Sequence, residues 1–143
     1  MEKIWLKSYP SNTPAEIDVD TYPSLGAMLE SNCKRYSQDV AFSNLGTTIT
    51  YAELDKLSRD FAAYLQQGLE LKKGDRIAIM LPNCLQYPVA TYGALRAGLV
   101  VVNVNPLYTA NELIHQLNDA EVNTIVGIAN FAATIETALA KTP

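Results

Sequence analysis

The sequence predicts an α/β fold: a partial doubly wound sheet of parallel strands with flanking helices, preceded by an N-terminal arm and a short β-hairpin. Two observations carry this. The segments "RIAIML" (76–81), "LVVV" (99–102) and "TIVGI" (124–128) are apolar at nearly every position rather than at alternate ones, the pattern of strands covered on both faces. Helical stretches separate and follow them, at 85–97, 110–119 and 131–141. Strand and helix alternating in this way make a βαβ series, whose crossovers are expected to be right-handed.

The elements follow in chain order. Residues 1–23 contain Pro10, Pro14 and Pro23 and show no apolar period, so they read as an extended arm. Trp5, Leu6 and Tyr9 are placed to dock that arm onto a body. Residues 24–143 then form the α/β unit proper. Ser24 is an N-cap for a helix whose face carries Leu25, Met28, Leu29, Cys33 and Tyr36. "VAFSNLGTTIT" (40–50) predicts two strands around a turn near Gly46. Thr50 and Glu53 have capping-box spacing, and Leu54, Leu57, Phe61, Tyr64 and Leu65 form the stripe of the next helix, which Gly68 is placed to end.

The corner after the second parallel strand is the most specific local feature. "VVVNVNPLYTANEL" (100–113) runs from valines into Asn103, Asn105 and Pro106, and restarts at Thr109 with Glu112 as a second capping box. Ligands in open α/β sheets gather beyond the carboxyl ends of strands. Asn83, Asn103 and Asn130 all fall at such ends. They either cap the turns that follow or face a cleft, and capping is the favoured expectation for short polar side chains there.

Composition excludes several classes. The chain has 143 residues, of which 48% are hydrophobic, and so can bury a core of its own. A net charge of −4 gives no basic face for nucleic acid. Lys34-Arg35 and Lys72-Lys73 are expected to be solvated surface pairs. Cys33 and Cys84 lie in unrelated apolar segments without a Cys-x-x-Cys or Cys/His cluster, which argues against zinc and for two reduced thiols, and leaves a disulfide open. "MEKIWLKSYP" lacks a signal peptide's apolar stretch, and no apolar run is long enough to cross a bilayer. A soluble, cytoplasmic protein is expected.

Catalytic patterns are missing as well. The first strand-to-helix turn, "LPNCLQYP" (81–88), has no glycine to cradle a phosphate. Gly93 and Gly98 are spaced like a Walker A pair, but no Lys-Ser/Thr follows and they fall within and after a helix. The single histidine, His115, sits on a predicted helix and reads as structural or solvent-facing. A phosphorelay receiver would place aspartates at the strand ends, where asparagine stands instead.

"KKGDRIAIMLPNCLQYPVATYGALRAGLVVVNVNPLYTANELIHQLNDAEVNTIV" (72–126) and "TYAELDKLSRDFAAYLQ" (50–66) resemble the amino-terminal region of the adenylate-forming acyl-CoA synthetases, relatives of luciferase and of peptide-synthetase adenylation domains. "VVVNVNPLYT", with Asn103 where many members have proline, and the arm "IWLKSYP" (4–10) are similar to the bacterial long-chain fatty-acyl branch. The resemblance covers nearly the whole chain and rests on cumulative pattern. It implies an enzyme several times longer that uses Mg-ATP to make an acyl-adenylate from a fatty acid, then passes the acyl group to coenzyme A. The family's phosphate-binding loop, its AMP-binding motifs and its mobile carboxyl-terminal domain all come after the region seen here. Residues 24–143 would then be an incomplete N-terminal subdomain, inactive alone and binding no ATP, Mg2+ or coenzyme A. No catalytic, cofactor-binding or metal-ligating role is assigned to any residue of this chain. A truncated sheet would expose an apolar edge and face and so favour self-association, and the resemblance implies homodimers and peripheral contact with the inner membrane. The alternative is a stand-alone flavodoxin-like binding or oligomerisation module without catalysis.

Overall fold

The computed structural model describes residues 2–142. Its elements are α1 (Leu25–Arg35), β1 (Val40–Asn44), β2 (Thr47–Thr50), α2 (Tyr51–Ala63), β3 (Arg76–Met80), α3 (Gln86–Arg96), β4 (Val100–Asn103), α4 (Ala110–Asp119), β5 (Thr124–Gly127) and α5 (Ala132–Leu139). β1 and β2 form an antiparallel hairpin, and the other three strands form a parallel sheet in the order β4-β3-β5.

β3 is the axis of the molecule. Its residues Ile77, Ala78, Ile79 and Met80 are fully buried, and alternation along the strand sends them to two different layers. Ile77 and Ile79 pack under α2 and α3, with Ala62, Leu65, Ala90 and Ala94. Ala78 and Met80 face α4 and α5, with Leu113, Leu117 and Ala138. Continuous apolar sequence therefore means two-sided burial in β3. In β4 and β5, which lie at the two edges, the same pattern yields half-buried strands.

Both capping boxes form. Thr50 Oγ1 accepts from the Glu53 N–H at 3.2 Å while Glu53 Oε2 accepts from the Thr50 N–H at 2.8 Å. Thr109 and Glu112 repeat this at the start of α4. Ser24 Oγ accepts from the Ala27 N–H and caps α1, which buries Leu29 and Cys33 but leaves Leu25 and Tyr36 exposed at its ends. The hairpin turns at Leu45 (φ 48°) and Gly46 (φ 81°), two left-handed residues in succession, which matches the twist of the flanking strands.

The buried face of α2 differs from the expected stripe. Leu57 and Tyr64 are exposed, and Ser58 and Ala62 are buried in their place beside Leu54 and Leu65. The cause is the closeness of α3. A Cβ at Gly93 would lie 2.7 Å from the Phe61 ring and 3.0 Å from the Ser58 carbonyl, so α3 must present a glycine at this crossing. The Ser58 hydroxyl donates to the Leu54 carbonyl at 2.7 Å and is satisfied within its own helix.

The end of that helix also differs. α2 runs on through a wider turn, Tyr64–Gly68, in which the Leu69 N–H donates to the Tyr64 carbonyl. The chain reverses at Glu70, with φ 55°, and not at Gly68. Gly68 is small because a Cβ there would meet the Tyr64 ring at 2.8 Å. Gly98 does perform the terminating role for α3: at φ 80° its N–H donates to Leu95 while the Leu99 N–H donates to Ala94, a Schellman motif with Leu99 buried behind it.

The arm is not extended and does not bury its aromatics. Ile4–Ser8 is a 3-10 turn, and the arm's backbone bonds are local, such as Tyr9 to Leu6, Thr13 to Pro10 and Thr21 to Asp18. Trp5 is 50% exposed and Tyr9 43%. Ion pairs Lys3–Glu16 and Lys7–Glu2 fold the arm on itself. Closely spaced prolines favour such local turns over a continuous docked segment.

Candidate functional site

The topology singles out one place. From β3 the chain moves to β4 on one side, then returns past β3 to β5 on the other. The point where strand order reverses, between the carboxyl ends of β3 and β5, is where doubly wound sheets open a crevice. Asn83 and Asn130 flank that point, and Asn103 ends the neighbouring β4.

These asparagines do different jobs, and capping is not the main one. Asn103 Oδ1 accepts from the Tyr87 hydroxyl at 2.8 Å, and its carbonyl accepts from Gln116 Nε2 at 2.9 Å. It therefore fastens β4 to α3 and α4 at once. The turn that follows is held by Asn105, whose Oδ1 accepts from the Leu107 N–H at 3.0 Å, while its carbonyl accepts from Tyr108; Pro106 sits between them as the kinked residue of an Asx turn. Asn83 contributes its backbone carbonyl, which accepts from Asn44 Nδ2 at 3.0 Å and anchors the hairpin to the sheet. Asn130 lies exposed in a short 3-10 turn before α5.

A shallow, mostly apolar cleft of about 250 Å³ lies where the hairpin meets the β3–α3 turn, walled by Phe42, Leu85, Tyr87 and Pro88, with Cys84 at its side. Its chemistry is meagre. No side chain caps the N-terminus of α3, where Leu85 precedes the first turn, and the turn holds no glycine. A phosphate cradle is thus not built from these residues. Among the described residues no group of three or more His, Cys, Asp or Glu side chains is placed to hold a metal ion.

The other titratable candidates do not line this cleft. His115 is exposed on α4, beside Tyr108, Asn111 and Asp119. Both cysteines are free, so the disulfide left open by the sequence is not formed. Cys33 is buried on the inner face of α1, where burial pushes its thiol above the ordinary range and Arg96 and Arg59 pull partly back. Glu53 and Glu112 are held below the ordinary carboxylate range, Glu53 chiefly by the Thr50 backbone N–H and Glu112 chiefly by the Thr109 hydroxyl.

The strongest electrostatic feature was not legible in the sequence. The Arg96 side chain is 7% exposed and reaches two helices: Nη2 donates to Asp55 Oδ1 of α2 at 2.6 Å, and Nη1 to Glu30 Oε1 of α1 at 3.0 Å. Asp55 also pairs with Arg59 one turn on. Arg96 is paired with Glu30 and Asp55, and Asp55 in turn with Arg59, so the cluster clamps α1, α2 and α3, while the buried Arg96 Nε finds no partner. Among the described residues no helix is long and apolar enough to cross a membrane.

Three comparisons fit this geometry. The model of the family described as "AMP-binding enzyme" matches residues 29–142. A long-chain-fatty-acid–CoA ligase of Yersinia pestis is 57% identical over 142 residues, which are 99% of this chain and 25% of that protein. Among solved structures, a benzoate CoA ligase from Burkholderia xenovorans LB400 superposes with TM-score 0.77 at 25% identity, over 82% of this chain and 24% of that one. A Mycobacterium tuberculosis fatty acyl CoA synthetase does so with TM-score 0.72 at 28% identity, over 78% and 22%. The chain thus spans about a quarter of the length of the curated relatives it matches.

Proposed function

The chain belongs to the AMP-binding enzyme family, and from that premise we propose that it is the amino-terminal part of a long-chain fatty acid–CoA ligase. Such an enzyme joins a fatty acid to ATP as an acyl-adenylate with release of pyrophosphate, then transfers the acyl group to coenzyme A with release of AMP. The observation that carries this reading is the 57% identity to the Yersinia ligase, which extends over 99% of the chain.

In this reading the chain is scaffold. The buried β3, the α1–α2–α3 clamp and the fastened corner at Asn103–Asn105 form a rigid wall against which later parts of the polypeptide position nucleotide, Mg2+, acyl chain and coenzyme A. The described residues offer neither a phosphate cradle nor a metal cluster, so no step of the reaction is assigned to them. Residues 1–23 serve as an arm, and 24–143 as an incomplete subdomain of the longer enzyme. The enzyme works in the cytoplasm as a homodimer, with peripheral contact at the inner membrane where its substrate arrives.

The test is fatty-acid-dependent ATP–pyrophosphate exchange. Exchange is expected from the full-length protein and none from the 143-residue chain. A folded full-length protein that ignores long-chain fatty acids sinks the reading. Exchange by the short chain overturns its role as scaffold and returns attention to the cleft beside Cys84. Vesicle co-sedimentation at background for the full-length protein removes the membrane contact.

A further inference from the structure

We draw no further inference here: the strongest candidate, the exposed apolar surface of the N-terminal arm formed by Ile4, Trp5, Tyr9, Ile17, Val19 and Tyr22, carries no proposal because nothing in the structure shows what covers it.

Discussion

Arg96 of α3 and Asp55 of α2 are joined by a 2.6 Å hydrogen-bonded ion pair in which the guanidinium is almost wholly withdrawn from solvent. Removing Arg96 takes the partner from Glu30, leaves Asp55 to Arg59 alone, and empties a buried position between three helices. Arg96→Met is therefore expected to lower stability by about 2–4 kcal/mol, while Glu30→Gln, at the exposed end of the same clamp, costs below about 1 kcal/mol. Urea denaturation followed by circular dichroism measures both. Equal effects from the two variants would show that the clamp does not hold the three helices as described.

The α2–α3 crossing makes a second, geometric prediction. Gly93→Ala drives a methyl toward the Phe61 ring and the Ser58 carbonyl, and a backbone atom cannot step aside. A loss of about 1–3 kcal/mol is expected. Gly68→Ala meets only the ring of Tyr64, an exposed side chain that can rotate away, and its gain in helix propensity offsets the displacement. Thermal melts of the two variants should differ clearly, with Gly93→Ala the lower.

Acid lability should trace in part to the two capping boxes. Glu53 and Glu112 have folded-state pKa values below their unfolded ones. Their stabilisation is complete above the ordinary glutamate value of about 4.3 and is lost as pH falls through the lower folded value. Glutamine at both positions keeps a side-chain acceptor but cannot titrate. The Glu53→Gln, Glu112→Gln double variant should have a flatter stability profile below about pH 4.5 than the unsubstituted protein. Superimposable acid limbs would contradict the assignment.

The corner at Asn103–Asn105 separates scaffold from site. Tyr87→Phe deletes one partly exposed hydrogen bond and Asn105→Ala one Asx turn, each expected to cost about 0.5–1.5 kcal/mol. In the full-length protein both should leave adenylation within about threefold of the original, a transition-state change below roughly 0.7 kcal/mol. A loss of about a hundredfold with the fold intact would make this corner part of the chemistry.

What could be read from the sequence was what is local. Thr50 with Glu53, and Thr109 with Glu112, are three residues apart, and their hydrogen bonds need nothing beyond one helical turn. The apolar runs of β3, β4 and β5 likewise identify themselves as strands. Hydrophobicity could not rank Ser58 above Leu57 for burial, because that choice depends on how closely α3 approaches. The Arg96 clamp was invisible because its partners lie 41 and 66 positions away. Asn103 and Asn105 look alike in sequence. Only the placement of Tyr87 and Gln116 gives one a bridging role and leaves the other to the turn.

The arm also has a spectroscopic consequence. The chain contains one tryptophan, and it is Trp5, half exposed on a turn whose backbone hydrogen bonds, among the described residues, stay within the arm. Indole fluorescence therefore reports on a segment apart from the layers that bury β3. An emission spectrum that barely moves through a denaturant titration would say nothing about whether the sheet has melted. Cooperative loss of the body has to be followed through the peptide bands or the tyrosines, with Tyr51 and Tyr92 packed on the buried Leu29, Cys33 and Leu54 as its optical witnesses.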